Sequence, residues 1–98
     1  MIGNIGQSTY SSSKSALIGL VKSLSKELFR KNIRVNLIVP GFIDTPMLNG
    51  LNKNDLIQSI PLARLGKASD VANAVYFLST NRLMNGQLLI VDGGLSLI

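Results

Sequence analysis

The sequence predicts an α/β fold on the plan of a doubly wound parallel sheet, in the order long helix, strand, loop, helix, strand. Two observations predict it. Residues 33–39 and 87–91 are short, largely apolar runs rich in β-branched residues, closed by Pro40-Gly41 and by Asp92-Gly93-Gly94. Runs of that kind suit strands covered on both faces. The segments before and between them carry apolar residues at three- and four-residue steps, the period of a helix with one buried face.

In chain order, Leu17, Leu20, Val21, Leu24 and Leu28 mark an amphipathic helix from Thr9 to about Phe29, with Ser8 or Thr9 as its N-cap. Arg30 and Lys31 suit the negative end of the helix dipole, and Asn32 suits a left-handed C-cap. The first strand follows over 33–39. Residues 40–52 hold two prolines and two glycines and read as a long loop, the kind that often carries function. A short helix over 54–60 is stopped by Pro61. Ser69 is the expected N-cap of a helix over 70–79, with Val71, Ala74, Val75 and Leu78 facing inward. The second strand closes the pattern over 87–91.

Two parallel strands and two substantial helices do not make a stable sheet on their own. The sequence is therefore expected to be part of a larger doubly wound domain. No run approaches the length of a membrane span, and Met1 is not followed by the basic and apolar regions of a leader. Neither cysteine nor histidine is present, which excludes disulfides, thiolate metal sites, a cysteine nucleophile and the commonest general base, and no metal site is expected. The net charge of +5 is concentrated between Lys14 and Arg34. That stretch is either a solvated helix face, helped by a Glu27–Lys31 pair, or a landing site for an acidic partner. Nucleic acid is a poor candidate, because the sequence holds only five aromatic residues, too few among the basic ones for a stacking platform.

The residues left for proton chemistry are Tyr, Lys, Asp and Glu. Tyr10 and Lys14 stand one helical turn apart, on one face. A phenol with an ordinary pKa of about 10 is a poor acid at neutral pH, and lowering that value by roughly three units takes about 4 kcal/mol of differential stabilisation. A neighbouring ammonium acts in the right direction. Taken alone, the pair could equally be a half-buried tyrosine beside a solvated lysine.

Other residues accompany the pair. Gly3-Asn4-x-Gly6-Gln7-x-x-Tyr10-x-x-x-Lys14 is followed by Arg34-Val35-Asn36, Pro40-Gly41-x-x-x-Thr45, Pro61-Leu62-x-Arg64-x-Gly66, Asp70-Val71-Ala72, Gly86 and Val91-Asp92-Gly93-Gly94. In order and spacing this resembles the C-terminal half of a short-chain dehydrogenase/reductase, a Rossmann-like fold, and is most similar to the 3-oxoacyl-acyl-carrier-protein reductases and the mitochondrial carbonyl reductases related to them. The resemblance implies that Tyr10 protonates a substrate carbonyl oxygen and that Lys14 lowers the tyrosine pKa and holds the nicotinamide ribose. It implies that Pro40 and Gly41 shape the floor of the nicotinamide pocket. The backbone of Ile43 would meet the carboxamide, and Thr45 would lie near the carboxamide or pyrophosphate. Thr45 could equally be a simple turn residue. Residues 47–53 look like a lid over the substrate.

NADPH is the cofactor the resemblance implies. The implied partners are the acyl carrier protein, docking at Arg30 and Lys31, or a small carbonyl substrate, in a homotetramer with no nucleic-acid or membrane partner. Leu95-Ser96-Leu97-Ile98 would be a subunit contact or pack within one subunit. The compartment would be cytoplasm or mitochondrial matrix. The family's catalytic serine and asparagine and its glycine-rich turn would fall upstream of Met1, so the isolated chain is expected neither to bind the dinucleotide nor to turn over substrate. The other expectation is a catalytically inactive truncated product that associates with full-length reductase subunits.

Overall fold

The computed structural model describes the backbone of residues 5–97 and the side chains of residues 12–96. Its main elements are helix α1 (Ile5–Leu28), strand β1 (Leu37–Pro40), helix α2 (Lys53–Ser59), helix α3 (Ala68–Thr80) and strand β2 (Leu88–Val91). The strands pair in one two-stranded sheet. The Leu37 N–H donates to the Gln87 carbonyl at 2.9 Å and the Gly41 N–H to the Val91 carbonyl at 3.0 Å. Both bonds join positions 50 apart, and a constant offset is the register of parallel strands. The chain divides into two compact units, Met1–Leu37 with Arg82–Leu88, and Ile38–Asn81 with Leu89–Ile98.

In the first unit, α1 is already helical at Ile5, so Ser8 and Thr9 lie inside it and neither is the N-cap that the sequence suggested. Its far end matches expectation. The helix tightens into a 3-10 turn at Phe29–Lys31 and stops at Asn32, whose φ of 62° and ψ of 33° place it in the left-handed region. This tightening takes Lys31 out of α-helical step with Glu27, and no ion pair joins the two. Val21 and Ser25 are buried, whereas Leu17 and Leu20 stay about half exposed, so only part of the apolar stripe is covered.

The strand expected over 33–39 begins only at Leu37, because side chains make the bonds that a backbone ladder would make. The Val35 N–H donates to Asn85 Oδ1 at 3.0 Å, and the Gln87 N–H donates to Asn36 Oδ1 at 3.0 Å. Asn36 Nδ2 and Arg34 Nη1 both donate to the Met84 carbonyl, at 3.0 and 2.9 Å. Gly86, at φ 70°, passes close under the helix; a Cβ there would sit 2.9 Å from Ser25 Oγ.

In the second unit, α2 is capped by Asn52, whose Oδ1 accepts from the Asn54 and Asp55 N–H groups. Helix α3 starts at Ala68 rather than at Asp70, with Lys67 as the N-cap residue. Ser69 is inside the helix. The cap is formed from the other side, by the Lys67 N–H donating to Asp70 Oδ2 at 2.7 Å. Ala74 and Leu78 face the interior, but Val75 is exposed. Both strands were expected to be covered on two faces, yet β1 is half-buried to exposed, and Leu88 and Ile90 are 38% and 40% exposed. Sheet burial needs layers on both faces. Among the described residues the buried apolar side chains are Val21, Ile60, Ala74 and Leu78.

Candidate active site

The carboxyl end of β1 is where a parallel sheet offers a ligand unpaired backbone. Gly41 donates to the Val91 carbonyl and approaches Asp92 so closely that a Cβ would lie 2.7 Å from the Asp92 Cβ. Asp92 in turn accepts from the Gly94 and Ser96 N–H groups, at 2.9 Å each, fixing the turn after β2.

Beyond Gly41, Ile43 forms an isolated parallel bridge with Gly66. The Gly66 N–H donates to the Phe42 carbonyl and the Asp44 N–H to the Gly66 carbonyl, both at 2.8 Å. In a parallel bridge those bonds belong to the neighbours of the bridge residue, so the N–H and C=O of Ile43 itself face the opposite edge. Neither is hydrogen-bonded among the described residues. A donor and an acceptor thus stand side by side on one fixed backbone unit.

Thr45 follows in extended conformation and precedes a 3-10 turn over Pro46–Leu48, but its side chain makes no capping bond. The simple turn role therefore does not employ its hydroxyl. Pro40, the last residue of β1, is exposed. The loop that follows is expected to be a lid. Met47 is 90% exposed, Gly50 sits at φ 90°, and Lys53 Nζ reaches Asp44 Oδ1 at 3.0 Å, joining the two ends of the loop.

Gly66 is itself held. Arg64 Nη1 donates to the Leu65 carbonyl at 3.0 Å and to Asp70 Oδ2 at 3.2 Å. The Lys67 N–H, and after it the Arg64 side chain, hold the Asp70 carboxyl below the usual carboxylate range. The sequence showed Arg64, Gly66 and Asp70 as members of a pattern but gave them no work. Their bonds join residues close in sequence, and the spacing Arg64 to Asp70 matches no helical step that would have signalled a pair.

In the first unit, Tyr10 and Lys14 both belong to α1, one turn apart. The side chain of Tyr10 lies outside the described residues. Lys14 is half-buried, and its amine has no hydrogen-bond partner among the described residues. An open groove in the same unit, lined by Ile18, Val21, Lys22, Leu37, Gly86, Gln87 and Leu88, gathers apolar surface and a single cation rather than groups for catalysis. No helix among the described residues is long and apolar enough to cross a membrane.

Helix α1 carries Tyr10 and Lys14 one turn apart. Comparison with known proteins supplies the family. The family model described as Enoyl-(Acyl carrier protein) reductase matches residues 2–96, and the chain belongs to this family of short-chain dehydrogenases/reductases. It is 50% identical over 95 residues to Carbonyl reductase family member 4 of Xenopus tropicalis, covering 97% of this chain and 40% of that protein. It is 49% identical over 96 residues to the human 3-oxoacyl-[acyl-carrier-protein] reductase, covering 98% of this chain and 40% of that one. Among solved structures, a blue fluorescent protein from a metagenomic library, in complex with NADPH, matches with a TM-score of 0.79 at 36% identity, over 89% of this chain and 37% of that one. The chain thus spans about 40% of the length of the curated relatives it matches.

Proposed function

We propose that this chain provides the proton donor and the nicotinamide-recognition edge of an NADPH-dependent reductase of 3-oxoacyl thioesters or related carbonyl compounds. The observation that carries the reading is the Ile43 backbone, whose N–H and C=O are both unbonded among the described residues and are held by the Gly66 bridge. A carboxamide offers the complementary acceptor and donor, so the residues present fit the nicotinamide half of the cofactor. Thr45 adds an uncommitted hydroxyl two residues on. Pro40 and Gly41 form the floor, where the close approach of Gly41 to Asp92 leaves no room for a side chain.

When bound, the cofactor supplies hydride. Tyr10 gives its hydroxyl proton to the substrate carbonyl oxygen. The ammonium of Lys14, one turn away on α1, favours the phenolate left behind and can donate to the ribose hydroxyls. The names of the relatives support the 3-oxoacyl and carbonyl reading, and the NADPH complex supports the choice of dinucleotide. A non-catalytic partner of full-length subunits has no such support. Since the chain covers about 40% of its relatives, the pyrophosphate-binding turn and the remaining catalytic groups are assigned to the part of the domain that the match does not span.

Acyl carrier protein is the proposed macromolecular partner. The exposed Arg30 and Lys31 are its landing site, with Arg30 stacked 5.7 Å over the ring of Phe29. Such charges act mainly on encounter rate and orientation. A homotetramer in the cytoplasm or mitochondrial matrix completes the proposal.

The test is a titration of a folded form of the protein containing this chain with reduced nicotinamide mononucleotide, followed by amide NMR. The expected result is a shift of the Ile43 and Thr45 amides that saturates. No shift at either amide up to millimolar ligand overturns the reading.

A further inference from the structure

We propose that Arg64 and Asp70 are positioning residues, which hold Gly66 in place and through it keep the backbone edge of Ile43 turned toward the nicotinamide. The role of Ile43 rests on the function proposed above; the clamp itself does not.

A bridge between two residues outside regular strands has no ladder on either side to keep its register. The Ile43–Gly66 bridge is of that kind, with two backbone bonds at 2.8 Å. Its Ile43 side is continuous with β1 through Gly41, which is anchored to Val91. Its Gly66 side is a short loop between Leu62, whose N–H donates to the Gly93 carbonyl at 3.1 Å, and the start of α3 at Ala68, and one cluster holds that loop from within. Arg64 Nη1 donates to the carbonyl of Leu65, the residue just before Gly66, and to Asp70 Oδ2. The same Oδ2 accepts from the N–H of Lys67, the residue just after Gly66. One carboxylate oxygen and one guanidinium nitrogen thereby fix the peptides on both flanks of Gly66 to the first turn of α3. The Ile43 side chain packs against Gly66, where a Cβ would meet Ile43 Cδ1 at 2.7 Å. A small rotation of Gly66 would break the bonds to Phe42 and Asp44 and swing Ile43 out of line.

The guanidinium fork can serve a carbonyl and a carboxylate together, which a lysine ammonium on a flexible stem does less well. Asp70 accepts two hydrogen bonds on a single oxygen, and one of the donors is charged, which makes the contact stronger than a neutral one.

The experiment measures hydrogen exchange at single amides by NMR in a folded form of the protein containing this chain and in its Arg64→Ala, Arg64→Lys and Asp70→Asn variants. Asp44 and Gly66 donate the two bridge bonds, and Ala74 and Leu78 report on the buried face of α3. Arg64→Ala and Asp70→Asn are expected to speed exchange at Asp44 and Gly66 about 5-fold relative to Ala74 and Leu78, as loss of a modest hydrogen-bond contribution predicts. Arg64→Lys should fall between. In the same variants, the Ile43 shift on adding reduced nicotinamide mononucleotide should need several-fold more ligand. Unchanged exchange at Asp44 and Gly66, or acceleration no greater than at Ala74 and Leu78, overturns the clamp. A clamp confirmed by exchange, with no Ile43 shift in the parent chain, leaves the clamp standing and sinks the nicotinamide reading instead. Should Arg64→Ala fail to fold, the Arg64→Lys and Asp70→Asn measurements decide the question alone.

Discussion

Gly41 and Asp92 lie so close that a Cβ on Gly41 would stand 2.7 Å from the Asp92 Cβ and 2.9 Å from its Cα. At Gly66 the nearest obstacle is instead the Cδ1 of Ile43, also at 2.7 Å but at the tip of a flexible side chain. The two glycines therefore tolerate a methyl group very differently. Gly41→Ala has to displace backbone and should cost roughly 1–3 kcal/mol, as overpacking does. Gly66→Ala can be met by a change of Ile43 rotamer, at about 1 kcal/mol. Chemical denaturation of the two variants checks the order, which reverses if Asp92 yields easily.

Ala63 has φ 56°, a left-handed conformation that costs a residue with a Cβ about 1–2 kcal/mol. Glycine removes that strain but gains freedom in the unfolded chain, at a cost of about 0.4–1 kcal/mol. Ala63→Gly is thus expected to stabilise the chain by up to about 1.6 kcal/mol, seen as a rise of a few degrees in Tm. A fall in Tm would mean that the surrounding turn selects alanine for its contacts.

The helices, the Asn32 cap, the two strands in parallel order and the Pro-Gly loop were legible because each is written in neighbouring residues, as periodicity, a capping residue or a turn pair. The start of β1 was not, since Asn36 and Asn85 replace backbone carbonyls across about fifty residues of sequence. Nor was the cap of α3, because Asp70 serves as acceptor for the N–H of Lys67 while Ser69, the better-looking cap, is carried into the helix. Strand burial was overestimated, since β-branched composition reports what a strand suits and not what covers it. At the candidate site, Pro40, Gly41, Ile43 and Thr45 come from the resemblance to the family, whereas the edge of Ile43 left unbonded among the described residues emerges only from its bridge to Gly66, 23 positions away.

Asp70 gives the stability a defined pH dependence. The backbone N–H of Lys67, followed by the Arg64 side chain, holds its carboxyl below the ordinary value of 3.8. A lowered folded-state pKa adds stability that is present above the unfolded value and lost as the pH falls through the folded one. Stability should therefore decline below about pH 4, and Asp70→Asn should flatten that decline while lowering stability at neutral pH. Thermal unfolding between pH 2 and 7 checks both; an unchanged acid limb in Asp70→Asn would show that other carboxylates set it.

Tyr10 and Lys14 carry the chemistry proposed here, and their substitutions should separate two kinds of loss. In a catalytically active form containing this chain, Tyr10→Phe removes the proton donor without altering the backbone edge at Ile43 or the ammonium of Lys14. Turnover should fall by about 10²–10⁴-fold, the usual contribution of general acid catalysis, while cofactor affinity changes little. Lys14→Met removes a charge that serves both the phenol and the ribose, so turnover and cofactor affinity should fall together. Single-turnover reduction and a binding titration by nicotinamide fluorescence read the two effects separately. Substantial reduction by the Phe variant would show that another group donates the proton, and unaltered cofactor affinity in the Met variant would place the ribose beyond the reach of Lys14.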